Sequence, residues 1–414
     1  MSIIHPFKAL RPQKQFIKAV ASYPYDVLNN DEAREIVKDN PLSFLHVEKS
    51  GIDLPSHVDE HDERAYEIAK SNLEKLNRDG VFFQEKTPCF YIYQQKIGSH
   101  EQYGIVAVVS LAEYESNHIK KHELTKADKE LDRTRHVFTV NAHTGPVFMT
   151  YRAQDFIDRL VEKIVGGDPE YDFIADDGIS HTVWVISDEK DIAAVTSSFA
   201  KVDTLYIADG HHRAAAAAAV RRLKGKQNSG NCGDEAYNYV MAVLFPHNHL
   251  KIMGYHRVVS DLNGLDEPEF LRKAGEQFFV SENFVKKSPG QSHEIGMYLR
   301  GKWYKLRAKD GSYDKDDPFK SLDVSILQDN LLKPVLGIQK PRTDKRIEYV
   351  GGVRGMKELE RLVDSGEFAV AFSLYPTSME QLMAVSDADK IMPPKSTWFE
   401  PKLRSGIFVH LLTS

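Results

Sequence analysis

The residues best suited to chemistry are Asp209-Gly210-His211-His212-Arg213. They end the short apolar run TLYIAD (204–209) and open the run HHRAAAAAAVRRLKGK, a pattern that reads as a strand passing into a helix. In α/β sheets, ligands gather beyond the carboxyl ends of strands. A helix N-terminus adds free N–H groups and a positive dipole end, which suit an anion such as phosphate. Gly210 lets the backbone turn tightly or approach a ligand. Arg213 offers a planar cationic fork that can clamp phosphate. Asp209 can hold a metal ion or take a proton from a hydroxyl. The same residues also fit an Asp-Gly turn whose aspartate caps the helix, leaving His211, His212 and Arg213 solvated. Both readings stay open on the local residues. Two histidines, an acid and an arginine at one junction are nevertheless more than a cap needs.

Weaker candidates lie elsewhere. His122-Glu123 is not part of an HExxH zinc motif, because the next histidine is His136. In so charged a stretch, the pair reads first as a solvated helix face. Lys395-Ser396-Thr397-Trp398-Phe399 sits in a proline-stiffened loop that could bind an anion, but a docked C-terminal segment is the simpler reading. His256-Arg257 reads as a basic corner or a surface turn. Tyr23-Pro24-Tyr25-Asp26 reads as a rigid turn before it reads as a site. There is no GxxxxGK[ST] phosphate loop, no GxGxxG after a strand, no CxxC and no GxSxG.

The elements that must position these residues come from a chain of 414 residues, 42% hydrophobic and 28% charged, enough for a sizeable core in two or three domains. Cys89 and Cys232 are too few for a disulfide scaffold or a four-thiolate zinc site. No apolar run is long enough to cross a bilayer, and MSIIHPFKAL lacks a signal-peptide core. A cytoplasmic protein is expected, with no membrane partner. The net charge of −6 weighs against nucleic acid. EAREIVK predicts a helix capped by Asn30 or Asp31, SFLHV (43–47) a strand, and EHDERAYEIAKSNLEKLNRDG a helix stopping at Gly80. FYIYQQ (90–95) and YGIVAVVSL (103–111) predict strands joined through Gly98 and Ser99. HIKKHELTKADKELDRTRHVFTV predicts helix over much of its length. The strands HTVWVISD (181–188), TLYIAD and NYVMAVLFP (238–246), with helices between them, predict an α/β layer. The helix after Asp209 is expected to end at Gly225, and QNSGNCGDE (227–235) to form a loop. MPPKSTWFEPK (392–402) reads as a loop. The expected division is an N-terminal α/β region over 1–104, a core over 105–260 and a C-terminal α/β region over 261–414.

HPFKALRP (5–12), YPYDVLNNDEAREIVKDNPLSFLHV (23–47), IKKHELT (119–125), LYIADGHHRAAAA (205–217) and LYPTSMEQLMAVSDADKIMPPKSTWFEPKLRSG (374–406) resemble a large bacterial and archaeal family catalogued as a domain of unknown function. Its signatures are DGHHR and MPPKSTWFEPK. The DGHHR segment is also similar to that of free serine kinases of the ParB/sulfiredoxin-like fold. That likeness implies a mixed α+β architecture, with a ParB/sulfiredoxin-like core and N- and C-terminal elaborations. It implies transfer of a phosphoryl group from ATP or ADP, with Mg²⁺, to free L-serine. Asp209 would be the catalytic base and Glu123 the upstream glutamate. Their separation of 86 residues, and Lys121 in place of a proline before His122, depart from the small kinases. Gly210, His211, His212 and Arg213 would bind phosphate or nucleotide, with Lys395 and Ser396 if the C-terminal loop folds over the site. The competing readings are a nucleotide-binding or DNA-segregation-like regulator, and a metal-dependent hydrolase using His211, His212 and Asp209.

Overall fold

The computed structural model describes residues 2–228 and 233–413. Cys232 and the middle of the QNSGNCGDE segment lie outside them. The chain forms two compact units. The first comprises residues 1–250 and 401–414, and the second comprises residues 251–400. The MPPKSTWFEPK signature is thus divided, with 392–400 in the second unit and 401–402 in the first. Among the described residues no helix is long and apolar enough to cross a membrane.

The first unit is built on a mixed sheet. Its strands are β1 (Ile4–His5), β2 (Phe90–Ile97), β3 (His100–Ser110), β4 (Ile119–Lys120), β5 (Val147–Tyr151), β6 (Tyr171–Ile174), β7 (Ser180–Ile186), β8 (Leu205–Asp209) and β9 (Tyr239–Pro246). The spatial order is β4-β8-β5-β9-β3-β2-β7-β6, with β1 also pairing β3. The β2–β3 hairpin turns at Gly98, whose φ of 58° falls in the left-handed region that glycine adopts freely. The three middle strands expected from the sequence all form, but they are not neighbours. β7 pairs β2 and β6, while β8 pairs β4 and β5. The β8–β5 pair is antiparallel and the β9–β5 pair parallel, which makes the fold mixed α/β rather than a parallel layer. Val147, Met149, Ile207, Ala242 and Leu244 lie in the core of this sheet.

The helix His211–Gln227 packs on that core through Ala214, Ala217 and Ala218. Their i, i+3, i+4 spacing puts three small side chains on one stripe, so the helix lies close to the sheet. It continues through Gly225, correcting the expected stop. A glycine near an exposed helix end costs only about 1 kcal/mol relative to alanine. Three other expectations change. Residues 43–47 are not a strand but a turn leading into the helix Leu45–Glu48. Phe44, Leu45 and Val47 are all buried there, which a two-residue alternation cannot achieve. Asn29, rather than Asn30 or Asp31, caps Asn30–Val37, in a reciprocal capping box with Glu32. The charged stretch after His118 starts as β4 and becomes helical only over Ala127–Val140.

The second unit carries a six-stranded antiparallel sheet in the order Phe278–Glu282, Lys302–Ala308, Glu294–Leu299, Val370–Leu374, Tyr255–Val259, Ile347–Gly351. Helix Gly355–Asp364 contributes Leu359, Leu362 and Val363 to the apolar cluster that also contains Val258, Tyr298 and Trp303. Within the presumed loop 392–402, Trp398–Glu400 forms a short strand against Lys251–Met253.

Candidate active site

Asp209 is the last residue of β8, and Gly210 follows with φ 87° and caps the helix. No side chain caps this helix N-terminus. The Asp209 carboxylate instead accepts its neighbour's Gly210 N–H through Oδ1 at 2.8 Å and meets Lys402 Nζ through Oδ2 at 2.7 Å. Burial would raise its pKa. The Lys402 ammonium and the Gly210 N–H outweigh that and hold the carboxyl well below the usual range. Dense protein surrounds the group, yet 39% of its side-chain surface stays open. The result is a carboxylate that is ionised near pH 7 and has an approachable face.

The parallel pairing of β4 with β8 matches Ile119 with Leu205 and Lys120 with Tyr206. His122 follows two residues after that pairing, which accounts for how a residue so remote in sequence reaches the junction. The outcome is visible in the rings of His122 and His211, which meet edge to face at 4.5 Å. Both are buried. Burial lowers the His122 pKa to about 3, with His211 adding to the effect, and lowers that of His211 to about 4 against the pull of Asp209. Both are neutral near pH 7. His211 Nε2 has no hydrogen-bond partner among the described residues. His212 Nε2 accepts the Lys126 N–H at 3.1 Å, so that nitrogen carries no proton. The two adjacent histidines diverge, one into the protein and one toward the 126 backbone. Glu123 stays half-buried beside His122.

Arg213 corrects the expectation of a free phosphate clamp. Its guanidinium turns inward, donating to Glu48 Oε1 at 2.9 Å and to the Pro146 carbonyl at 3.0 Å, with the Tyr25 ring 5.5 Å away. Glu48 is 2% exposed and also accepts the Thr144 hydroxyl. Burial opposes both charges, but each holds the other ionised. Tyr25 and Asp26, read as a turn, line a cavity of about 630 Å³ together with Lys49, His61, Asp132 and Arg133. The cation beside Asp209 is therefore Lys402, which follows the candidate anion-binding loop in sequence but was not expected at this junction. Its position is fixed from behind, because Gln95 Nε2 donates to the Lys402 carbonyl at 2.8 Å. The nearby Arg404 pairs with Asp177 and stacks on Tyr23 at 3.8 Å. Only the second lysine of MPPKSTWFEPK hinted at this role.

Lys395 and Ser396 belong to the second unit. Ser396 is buried and donates to the Pro393 carbonyl at 2.6 Å, which commits its hydroxyl. Lys395 is exposed, with φ 59°. Among the described residues no group of three or more histidine, cysteine, aspartate or glutamate side chains is placed to hold a metal ion.

The family described as "Protein of unknown function (DUF1015)" matches residues 4–325. The chain belongs to it. No curated protein matches the chain. Among solved structures, the chain is similar to a conserved hypothetical protein from Pyrococcus furiosus at 15% identity, over 74% of this chain and 95% of that one, with a TM-score of 0.36. It is similar to a free serine kinase in complex with AMP at 14% identity, over 73% and 91%, with a TM-score of 0.37. It is also similar to SbnI with C-terminal truncation from Staphylococcus aureus at 11% identity, over 72% and 84%, with a TM-score of 0.31. Likenesses this distant leave the assignment of function to the residues themselves.

Proposed function

We propose that the β8–helix junction transfers a phosphoryl group from a nucleotide to a hydroxyl, with free L-serine as the acceptor that the sequence resemblance implies. One observation carries this reading. Asp209 is an ionised carboxylate, paired with Lys402 at 2.7 Å yet open on one face, at the N-terminus of a helix with no side-chain cap. A mere cap would not need a partnered cation 193 residues away.

Phosphoryl transfer depends on positioning and charge neutralisation more than on a strong base. A strongly acidic carboxyl suits that demand. Asp209 accepts the hydroxyl hydrogen bond, aims the oxygen at phosphorus, and takes the proton late, as the new O–P bond forms and the bond to the leaving nucleotide breaks. The products are O-phosphoserine and a nucleotide shorter by one phosphate. Lys402 neutralises the incoming phosphate as a point charge, and the first-turn N–H groups of the helix bind its oxygens. Neutral His211 and His122 exclude water without adding charge. Glu123 is the second acid of the reading, half-buried next to His122, whose ring meets that of His211.

Mg²⁺ fits only as an ion that arrives with the nucleotide. Asp209 or Glu123 can offer one carboxylate, and a magnesium site of that kind takes its other ligands from phosphates and water. It supplies charge neutralisation on the donor. The diverging His211 and His212 disfavour the metal-hydrolase reading, and nothing in the geometry favours a DNA-segregation role.

Purified protein is offered ATP, ADP or pyrophosphate against free amino acids, and the product is detected by mass. O-phosphoserine is the expected outcome. Asp209→Asn should lower that turnover by about 10²–10⁴-fold, the usual loss on removing a general base, in a chain that still folds. Full turnover in Asp209→Asn would remove the catalytic role.

A further inference from the structure

The second unit contains a buried cation with no carboxylate of its own. Arg257 is 3% exposed. Its guanidinium donates to the Tyr255 carbonyl, to the Pro394 carbonyl at 3.3 Å and to the Lys395 carbonyl at 3.0 Å, and it faces the Tyr349 ring at 5.3 Å. These partners satisfy its hydrogens but not its charge. Among the described residues no carboxylate pairs with it, and burial lowers its pKa to about 10. Buried charges are ordinarily paired, because an uncompensated one is costly.

The guanidinium also grips a strained loop. Lys395 has φ 59°, a left-handed conformation disfavoured for a side chain with a Cβ. The two carbonyls held by Arg257 flank its backbone, so the buried cation fixes the strained residue. Strain of this kind concentrates where ligands bind. The Lys395 side chain stays exposed, with Nζ 5.7 Å from the Tyr255 ring centre. Tyr255 in turn meets Trp398 edge to face at 5.3 Å. The indole has room because residue 351 is glycine, where a Cβ would lie 3.1 Å from it.

We infer that Lys395 and Arg257 form an oxyanion site in the second unit, for a phosphate-bearing ligand. Lys395 makes the contact as a compact point charge. Arg257 acts from beneath as a positioning residue, setting the loop and adding an unscreened positive field. Ser396 takes no part, since its hydroxyl is committed to Pro393. The contacts that carry this inference all lie within the second unit.

The test titrates inorganic pyrophosphate into the full chain at low salt, following binding heat and tryptophan emission. The expected result is saturable binding with an emission change that disappears in Trp398→Phe while the heat remains. Lys395→Ala should weaken the affinity about tenfold or more, as expected for losing one charged hydrogen bond. Arg257→Met should weaken it likewise, and Arg257→Lys serves if the methionine variant does not fold. Asp209→Asn should leave the Trp398 signal in place, which separates this site from the one in the first unit. The proposal is overturned if pyrophosphate leaves Trp398 emission unchanged, or if Lys395→Ala binds as tightly as the parent chain.

Discussion

Arg213 and Arg257 are both buried guanidinium groups, one in each unit, and they are satisfied in opposite ways. Arg213 donates to Glu48 and to one carbonyl, and the carboxylate keeps its pKa above the ordinary arginine value despite burial. Arg257 is ringed by carbonyls and tyrosine, and burial pulls its pKa down to about 10. The first charge is neutralised within the fold, so it is spent on stability. The second is hydrogen-bonded to carbonyls but not neutralised by a carboxylate among the described residues. Residue type is the same and both groups are largely enclosed, Arg213 with 15% of its side-chain surface open and Arg257 with 3% of its surface exposed. The presence of a carboxylate is what separates a structural cation from one with charge to spare.

Removing that carboxylate gives the largest effect. Glu48→Gln keeps the shape but removes the carboxylate that ion-pairs with Arg213, leaving only the more distant Asp26 and Asp209 and moving it toward the condition of Arg257. Breaking a buried pair in this way costs about 3–5 kcal/mol. The measurement is the urea midpoint of the first unit, read from Trp184, which is buried there and donates to the Gly167 carbonyl. Adding Arg213→Met should recover most of the loss, because no charge is then stranded. If Glu48→Gln unfolds at the parent midpoint, the pair contributes nothing and the contrast between the arginines collapses.

The sequence showed one half of each of these arrangements. The strand–helix junction was legible because an apolar run ends at Asp209 and a helical one begins at His211. The β2–β3 hairpin was legible from its glycine. The partners were not, because Glu48 and Lys402 come from 165 and 193 residues away. No local period encodes such distances. Arg213 looked like a free clamp because its neighbours in sequence say nothing of Glu48. Residues 43–47 looked like a strand because both faces of a four-residue helix are buried, which erases its period. Glu123 was paired with Asp209 from resemblance alone; what the structure shows is its neighbour His122 meeting His211, beyond the parallel β4–β8 pairing.

Acid should separate the units next. In the first unit, burial lowers the pKa of His122 and His181 to about 3 and of His136, His211 and His410 to about 4. Unfolded, each would titrate near 6.5. Below that value the unfolded chain binds more protons, so the stability of the first unit should fall as pH drops from about 6.5 to 4. The second unit has one such histidine, His256, lowered to about 4. Opposing it is Asp323, whose pKa burial raises to about 7 despite the His293 N–H it accepts. A raised carboxyl favours folding below its unfolded value near 3.9, and this contribution is lost as pH rises through 7. Acid therefore works against the first unit and is nearly offset in the second. Unfolding midpoints between pH 7 and 4.5, read from Trp184 and from Trp303 with Trp398, should move more for Trp184. Equal shifts in both signals would remove the contrast.

The smallest effect probes how tightly Arg213 is held. Gly145 leaves room for it, since a Cβ there would lie 2.9 Å from both Arg213 Cζ and Ser405 Oγ. A free arginine tip would swing away at almost no cost. This one is fixed by Glu48 and Pro146, so Gly145→Ala must distort the pair or shift the 145 backbone. Overpacking of this kind costs about 1–3 kcal/mol. The penalty should shrink once Arg213→Met lets the side chain yield, since mutations at touching sites are not additive. A double-mutant cycle over Gly145→Ala and Arg213→Met, read as Trp184 urea midpoints, measures that coupling. Strict additivity would mean that Arg213 moves as freely as a surface arginine, and that its pairing with Glu48 does not lock it.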